Sequence, residues 1–337
     1  MSSDPQSPPL EAVEADEARL HDSEPPSSVA APFAWRTNLL LFLATVVSVF
    51  HAGAAYAGAT PEDGGIIAWL RMLPRGWTFA VPLLGILLFH EFGHYIAARL
   101  HRVDASLPYF IPLPGLGFLG TMGAVIAMRG RIKSRTALLD IGASGPLAGL
   151  LVALPVLTIG LLQSPVQPLS GSGAMEGQSL LYLAIKRVVL GPIPDGYDVT
   201  LNPVAFAGWA GLLVTALNLI PVGQLDGGHI AYALFGPRQN RYARVLHLGL
   251  LGMFAYNLAV FLVPVLLRRA WDDVGEAIGN SVFWLMWFGL LFLMGRMSGK
   301  DHPPTEPGEL TPGRKAIAVL CLALFVLLFM PTPMSTY

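Results

Sequence analysis

The fold class that the sequence predicts is an all-α polytopic membrane protein. It has about six to seven transmembrane helices and a short membrane-embedded β hairpin after the second of them. Three observations lead there. Hydrophobic residues make up 53% of the 337-residue chain and charged residues only 13%, well under the ~25% usual in soluble domains. Seven apolar runs approach the ~20 residues that a helix needs to cross a bilayer; they cover roughly 38–58, 76–100, 136–163, 203–222, 245–267, 281–298 and 315–331. Between the second and third runs, "LPYFIPLPGLGFLGTMGAVIAMRG" is apolar but broken by Pro108, Pro112, Pro114 and several glycines, which rules out a regular spanning helix.

The first 34 residues differ from all that follow. They are acidic, rich in Pro and Ser and poor in aromatics, the composition of a disordered segment, and are expected to form a cytoplasmic tail. They lack the basic start and short apolar core of a secretory signal. The net charge of −1 implies no nucleic-acid partner. Cys321, the single cysteine, excludes an internal disulfide and a Cys-based zinc site; in its apolar run it reads as a small buried hydrophobe.

Orientation follows from Lys and Arg in the short loops, which favour the cytoplasmic side. Arg99, Arg102, Arg129, Arg131, Lys133 and Arg135 follow run two. Arg238, Arg241 and Arg244 follow run four, and Arg296, Lys300, Arg314 and Lys315 follow run six. All three loops share one side if seven spans alternate. The opposite loops carry Glu62, Asp63, Glu176, Asp195, Asp198, Asp272, Asp273 and Glu276, together with some basic residues such as Arg268 and Arg269. Within loop 164–202, residues Ser179–Leu190 are amphipathic and suit a surface helix.

Run two contains "LLGILLFHEFGHYIAARL". Ionisable residues inside an apolar span are costly and call for a function. His90 and His94, four residues apart on a helix, share a face and converge on one ion, with Glu91 beside them as a general base. His90 lies nine residues before Arg99, about 13 Å in from the cytoplasmic end at 1.5 Å per residue. A catalytic zinc takes three protein ligands, and Asp226 in "NLIPVGQLDGGH" is the third candidate. Pro221 breaks the helix before it, and Gly227 and Gly228 let the backbone turn and approach closely. The competing role for Asp226 is an N-cap for a helix starting near Gly227.

H-E-F-G-H in a hydrophobic helix, followed far downstream by N-x-x-P-x-x-x-L-D-G, resembles the site-2 protease family of intramembrane zinc metalloproteases (peptidase family M50-like), here without a PDZ domain. "GASGPLAG" in run three is similar to the Gly-Pro-containing third core helix of that family. The resemblance covers roughly residues 76–236. It implies one Zn2+ per chain held by His90, His94 and Asp226, with Glu91 as catalytic base and Asn218 near the reaction. It also implies a β element near the zinc, and accessory helices at both ends. From the residues alone, 118–128 suits a short hairpin or edge strand that either pairs with an unwound substrate segment or only packs. His229 stands where relatives often carry arginine, and reads as a solvated interfacial histidine or as a group behind the ligands.

The organisation expected is a tail at 1–34, a membrane-embedded metalloprotease core at 35–236 and accessory transmembrane helices at 237–337. The function expected is a zinc-dependent intramembrane endopeptidase, with Glu91 activating water. Its partners are the lipid bilayer and a transmembrane protein substrate, with the oligomeric state left open. Its place is a multi-pass one, in a bacterial inner membrane or equivalent, with the site toward the cytoplasm. A metal- or proton-coupled transporter is the alternative, and requires a polar pathway from side to side. A proteolytically dead, helix-binding relative is a third reading, which the intact Glu91 opposes.

Overall fold

The computed structural model describes residues 35–59, 65–115, 117–128, 132–169, 173–298, 302–306 and 308–336. The expected tail at 1–34 lies outside them. In chain order the elements are α1 (Trp35–Tyr56), α2 (Ile66–Met72), α3 (Trp77–Leu100), β1 (Tyr109–Pro112), β2 (Thr121–Val125) and α4 (Arg135–Leu162). Then come β3 (Val166–Pro168), β4 (Ala174–Glu176), α5 (Leu180–Leu190), β5 (Tyr197–Val199), α6 (Pro203–Asn218) and α7 (Asp226–Phe235). The chain closes with α8 (Gln239–Arg268), α9 (Val274–Gly279), α10 (Phe283–Ser298), α11 (Pro312–Leu328) and β6 (Met334–Thr336).

Among the described residues, four helical stretches are long and apolar enough to cross a membrane: Trp35–Tyr56, Ile66–Leu100, Arg135–Leu162 and Asp226–Arg268. A fifth arises if the pair Trp271–Gly279 and Phe283–Met297, bent by 41°, counts as one span. This is fewer than the six to seven expected from the runs. The runs at 203–222 and 315–331 form helices of only 16 and 17 residues, about 24–26 Å long. Asn218 is the last residue of α6, ahead of Pro221, and Pro331 follows the end of α11.

The core is α3, α4 and α6. Without a hydrophobic drive between helices in lipid, close approach depends on small residues. A Cβ on Gly93 of α3 would stand 2.6 Å from the Ser144 carbonyl oxygen of α4, and one on Gly208 of α6 would stand 2.5 Å from the Leu157 Cα. Backbone lies against backbone at both crossings. Trp209, Leu212, Leu157 and Leu83 are fully buried around them.

β1 and β2 pair antiparallel, Tyr109 opposite Val125 and Phe110 opposite Ala124, with an irregularity between Phe110 and Pro112. The segment 118–128 thus supplies one strand, and its partner starts earlier than the sequence suggested. Pro112 is tolerated at the end of β1, where no ladder donor is needed. Helix α1 holds this hairpin by its backbone. Asn38 Nδ2 donates to the carbonyls of Leu107 (2.6 Å) and Pro108 (3.1 Å), Ser48 Oγ to Gly120 (2.6 Å), and the Tyr56 hydroxyl to Phe118. The N-terminal helix, accessory by resemblance, is the hairpin's scaffold.

The loop 164–202 is braced by two small sheets, β3 with β5 and β4 with β6. Ser179 caps α5. Tyr182 is fully buried there, and its hydroxyl donates to Glu176 Oε1 at 2.7 Å. Burial pushes the Tyr182 hydroxyl far up, so it remains a donor. Lys186 Nζ meets Asp198 Oδ1 at 2.6 Å. The opposite face of α5 exposes Leu180, Leu183 and Val188.

The C-terminal stretch returns to the core. The Arg314 fork grips Asp140 of α4, Nε to Oδ1 at 3.0 Å and Nη2 to Oδ2 at 2.8 Å, and His101 Nε2 joins at 2.9 Å. Arg135 donates to the carbonyls of Ala233, Leu234 and Gly308. Cys321 is fully buried in α11, as its run suggested.

The glycine crossings give a graded expectation for stability. Gly208→Ala forces a methyl into the α4 backbone and destabilises by about 1–3 kcal/mol. Gly289→Ala in α10, where a Cβ meets nothing within 4 Å, stays within about 0.5 kcal/mol. Thermal unfolding of both variants in detergent checks this, and equal midpoints would refute the close crossing.

Candidate metal and catalytic site

α3 presents His90, Glu91 and His94 in its middle, all buried. Asp226 is the first residue of α7, next to the break that separates α6 from α7. It does not cap that helix: Leu225 occupies the N-cap position, with no side-chain cap bond. The backbone between the two helices folds tightly, with Gly223 at φ +59°. A Cβ on Gly227 would overlap the Leu219 carbonyl. This is the close approach expected of "DGG", and it aims the Asp226 carboxylate at α3.

His90 Nε2 lies 3.3 Å from Asp226 Oδ2, His94 Nε2 lies 3.2 Å from the same oxygen, and the two Nε2 atoms are 3.2 Å apart. Two atoms that each bind one zinc ion at about 2.0 Å and the tetrahedral angle stand about 3.3 Å apart. The triangle therefore has the edge of a tetrahedral face, and its donor set of two imidazoles and a carboxylate suits zinc. Among the described residues it is the one group of three His, Cys, Asp or Glu side chains placed to hold a metal ion.

α4 completes the setting. The Ile141 carbonyl is 2.7 Å from His94 Nδ1. A carbonyl only accepts, so Nδ1 carries the hydrogen and Nε2 offers its lone pair to the centre, the arrangement that orients metal-binding histidines generally. The "GASGPLAG" motif has its glycines where the imidazoles need room. A Cβ on Gly145 would overlap the His94 ring, and one on Gly149 would stand 3.3 Å from His90 Nδ1. The two pairs match because both are spaced four residues apart.

His90, Glu91, His94 and Asp226 line one cavity of about 320 Å³. Asn218 and Gln224 add amides to its wall, and Ala124, Val125 and Ile126 bring the edge of β2 into it. No hydrogen bond joins the Asn218 amide to another described residue. The predicted site residues thus meet in one place.

Three lining residues, Met294, His302 and Pro303, come from the part of the chain read as accessory. No local pattern marks them. His229 also departs from expectation: it is half-buried, and its Nδ1 lies 2.8 Å from His302 Nε2. Its partner is 73 residues away in sequence, so the contact has no local sequence signal.

The packing around the imidazoles yields a test that spares the ligands themselves. Gly145→Ala displaces His94 and weakens metal binding at least about tenfold, the scale of lost support behind a ligand. Gly149→Ala, with its wider gap, is milder. Metal content after dialysis against a graded chelator measures both, and full retention in Gly145→Ala would contradict the placement of His94.

The model of Peptidase family M50 matches residues 78–260, which include α3, the hairpin, α4, α6 and α7. The chain is 33% identical over 255 residues to "Probable zinc metalloprotease EGY2, chloroplastic" of Oryza sativa subsp. indica, covering 72% of this chain and 46% of that one. It is 34% identical over 306 residues to "Probable zinc metalloprotease EGY1, chloroplastic" of Oryza sativa subsp. japonica, covering 72% and 52%. The Arabidopsis thaliana protein named "Probable zinc metalloprotease EGY1, chloroplastic" is 29% identical over 259 residues, covering 75% and 42%. The chain thus spans about half the length of these relatives. No solved structure matches it. With more than half of its length matched, and the matched part containing the three metal donors and the carboxylate beside them, the chain belongs to Peptidase family M50.

Proposed function

We propose that the chain is a zinc-dependent endopeptidase that hydrolyses a peptide bond of a transmembrane helix within the bilayer. The observation that carries this reading is the meeting of three metal donors and Glu91 in one cavity, set among helices long and apolar enough to span a membrane. The names of the relatives support the zinc and the protease chemistry.

A zinc ion held by His90, His94 and Asp226 supplies Lewis acidity and lowers the pKa of water toward ~7. Glu91 takes the proton of the attacking water and returns it to the leaving amine. Asn218 holds the substrate backbone or the developing oxyanion with its unused amide. An intact helix hides its carbonyls, so the substrate is locally unwound. The β2 edge at the cavity wall receives it as an added strand, which makes the hairpin a membrane-embedded element.

In this reading the short helices α6 and α11 also span, with α10, giving six to seven crossings. The basic loops face the cytoplasm, and the cavity opens there.

Glu91→Gln keeps shape but cannot accept the proton. It retains stoichiometric zinc and loses cleavage of a transmembrane substrate in liposomes by at least about 100-fold. In the same assay, Ala124→Pro removes a backbone donor from the strand and slows cleavage without loss of zinc. Proteolysis by the Glu91→Gln variant sinks the general-base role, and unchanged turnover of the proline variant sinks the strand addition.

Orientation is checked by single cysteines in sealed membranes, with Cys321 replaced by alanine. Tyr242→Cys, at the start of α8, reacts with impermeant reagent from the cytoplasmic side only. Leu169→Cys, in the loop after α4, reacts from the other side only. The reverse pattern overturns the sidedness.

A further inference from the structure

His302 lies beyond the 78–260 stretch that matches the family, yet it lines the catalytic cavity together with His229. It is firmly held there. Its backbone N donates to Asn240 Oδ1 at 3.1 Å, and its ring stacks on Tyr232 with centroids 4.2 Å apart and 19° between planes. His302 Nδ1 is 2.8 Å from the Pro303 carbonyl. That carbonyl accepts, so with a neutral ring Nδ1 carries the hydrogen and Nε2 is a bare acceptor. Burial pushes His302 down from the ordinary imidazole value, which favours the neutral ring.

The bare Nε2 of His302 faces His229 Nδ1 at 2.8 Å. His229 Nδ1 must then be the donor. In a neutral imidazole one nitrogen donates and the other accepts, so His229 Nε2 is left with a lone pair. Among the described residues, no group donates to it. The chain of bonds therefore runs from His229 through His302 to the Pro303 carbonyl, and leaves one acceptor in the cavity beside the metal donors. An unwound substrate brings the complementary need. Each backbone N–H released from its helix and left unpaired away from bulk water is costly.

We propose that His229 is a substrate-binding residue of the site, its Nε2 accepting a hydrogen bond from a backbone N–H of the unwound substrate, and that His302 is a positioning residue that fixes the His229 tautomer. The inference rests on the proteolytic reading above. It also gives the α10–α11 connection a part in the site.

The test uses the full chain loaded with zinc. Nitrogen-15 NMR of labelled histidine reports the tautomer, and the His229 signals are identified by their loss in His229→Gln. In the wild type, Nδ1 of His229 is protonated and Nε2 is not. His302→Phe keeps a ring against Tyr232 but removes the acceptor. It scrambles the His229 tautomer, leaves zinc content unchanged and raises KM about tenfold, with kcat within about twofold of wild type. His302→Gln restores an acceptor and returns both the tautomer and KM toward wild type.

A protonated Nε2 on His229 in the wild type overturns the proposal, as does wild-type KM in His302→Phe. If His302→Phe fails to fold, the wild-type tautomer and the KM of His302→Gln against His229→Gln decide, and equal KM for those two variants and the wild type overturns it. Absence of any cleavage by the wild type removes the proteolytic reading, and this inference with it. Cleavage by the wild type that His302→Phe matches removes this inference alone.

Discussion

Two imidazoles and a carboxylate stand 3.2–3.3 Å apart between helices built mostly of leucine, alanine and glycine, and the cost of burying them constrains the rest of the structure. Such groups are tolerated at depth only when they find partners. Each device around them supplies one. The Ile141 carbonyl fixes His94. The broken helix brings Asp226 across. The glycines of α4 leave space for two rings that larger residues would occupy. The close crossings of α3, α4 and α6 are what make these short distances possible, since a wider bundle would leave the carboxylate out of reach.

The helix break before α7 shows how irregular backbone survives in such a setting. Pro221 ends the first helix and Gly223 takes a left-handed turn, while Gly227 and Gly228 press against the carbonyls of Leu219 and Gly223. The break lines a cavity with polar walls, where freed backbone groups have company. A continuous helix through 203–235 would spread its residues along one rod. The break instead lets Asn218 and Asp226, eight residues apart, face one space.

Much of this was legible in the sequence, for identifiable reasons. H-E-x-x-H carries its own geometry, because i and i+4 share a helical face. Asp226 was legible as an acid flanked by glycines in an apolar context. The spans were less so. Runs of apolar residues do not mark where a helix ends within them, and α6 and α11 come out at 16 and 17 residues, ending three residues ahead of Pro221 and of Pro331. The first strand of the hairpin was hidden because "YFIP" between prolines reads as coil. His302 and its contact with His229 were missed because that relation spans 73 residues. Helical periodicity carries no information about such a contact. The same holds for Arg314 on Asp140, 174 residues apart, which ties the last helix to the one behind the metal donors.

That last contact bears on how the family's shared core is completed in this chain. The matched stretch ends at 260 and contains every metal donor, yet the cavity wall needs Met294, His302 and Pro303 from beyond it. The returning chain around His302 is tied by Arg135, Arg314 and Asn240, through Gly308, Asp140 and the His302 backbone. The hairpin side is held in a comparable way by Asn38, Ser48 and Tyr56 of α1. In both cases polar side chains bind backbone groups or a carboxylate across the boundary between the core and the flanking chain. Hydrogen bonds of this kind are directional, while apolar contact between helices in lipid is not. The core therefore fixes where chemistry occurs. The flanking helices, through a few directed bonds, fix the shape of the cavity around it.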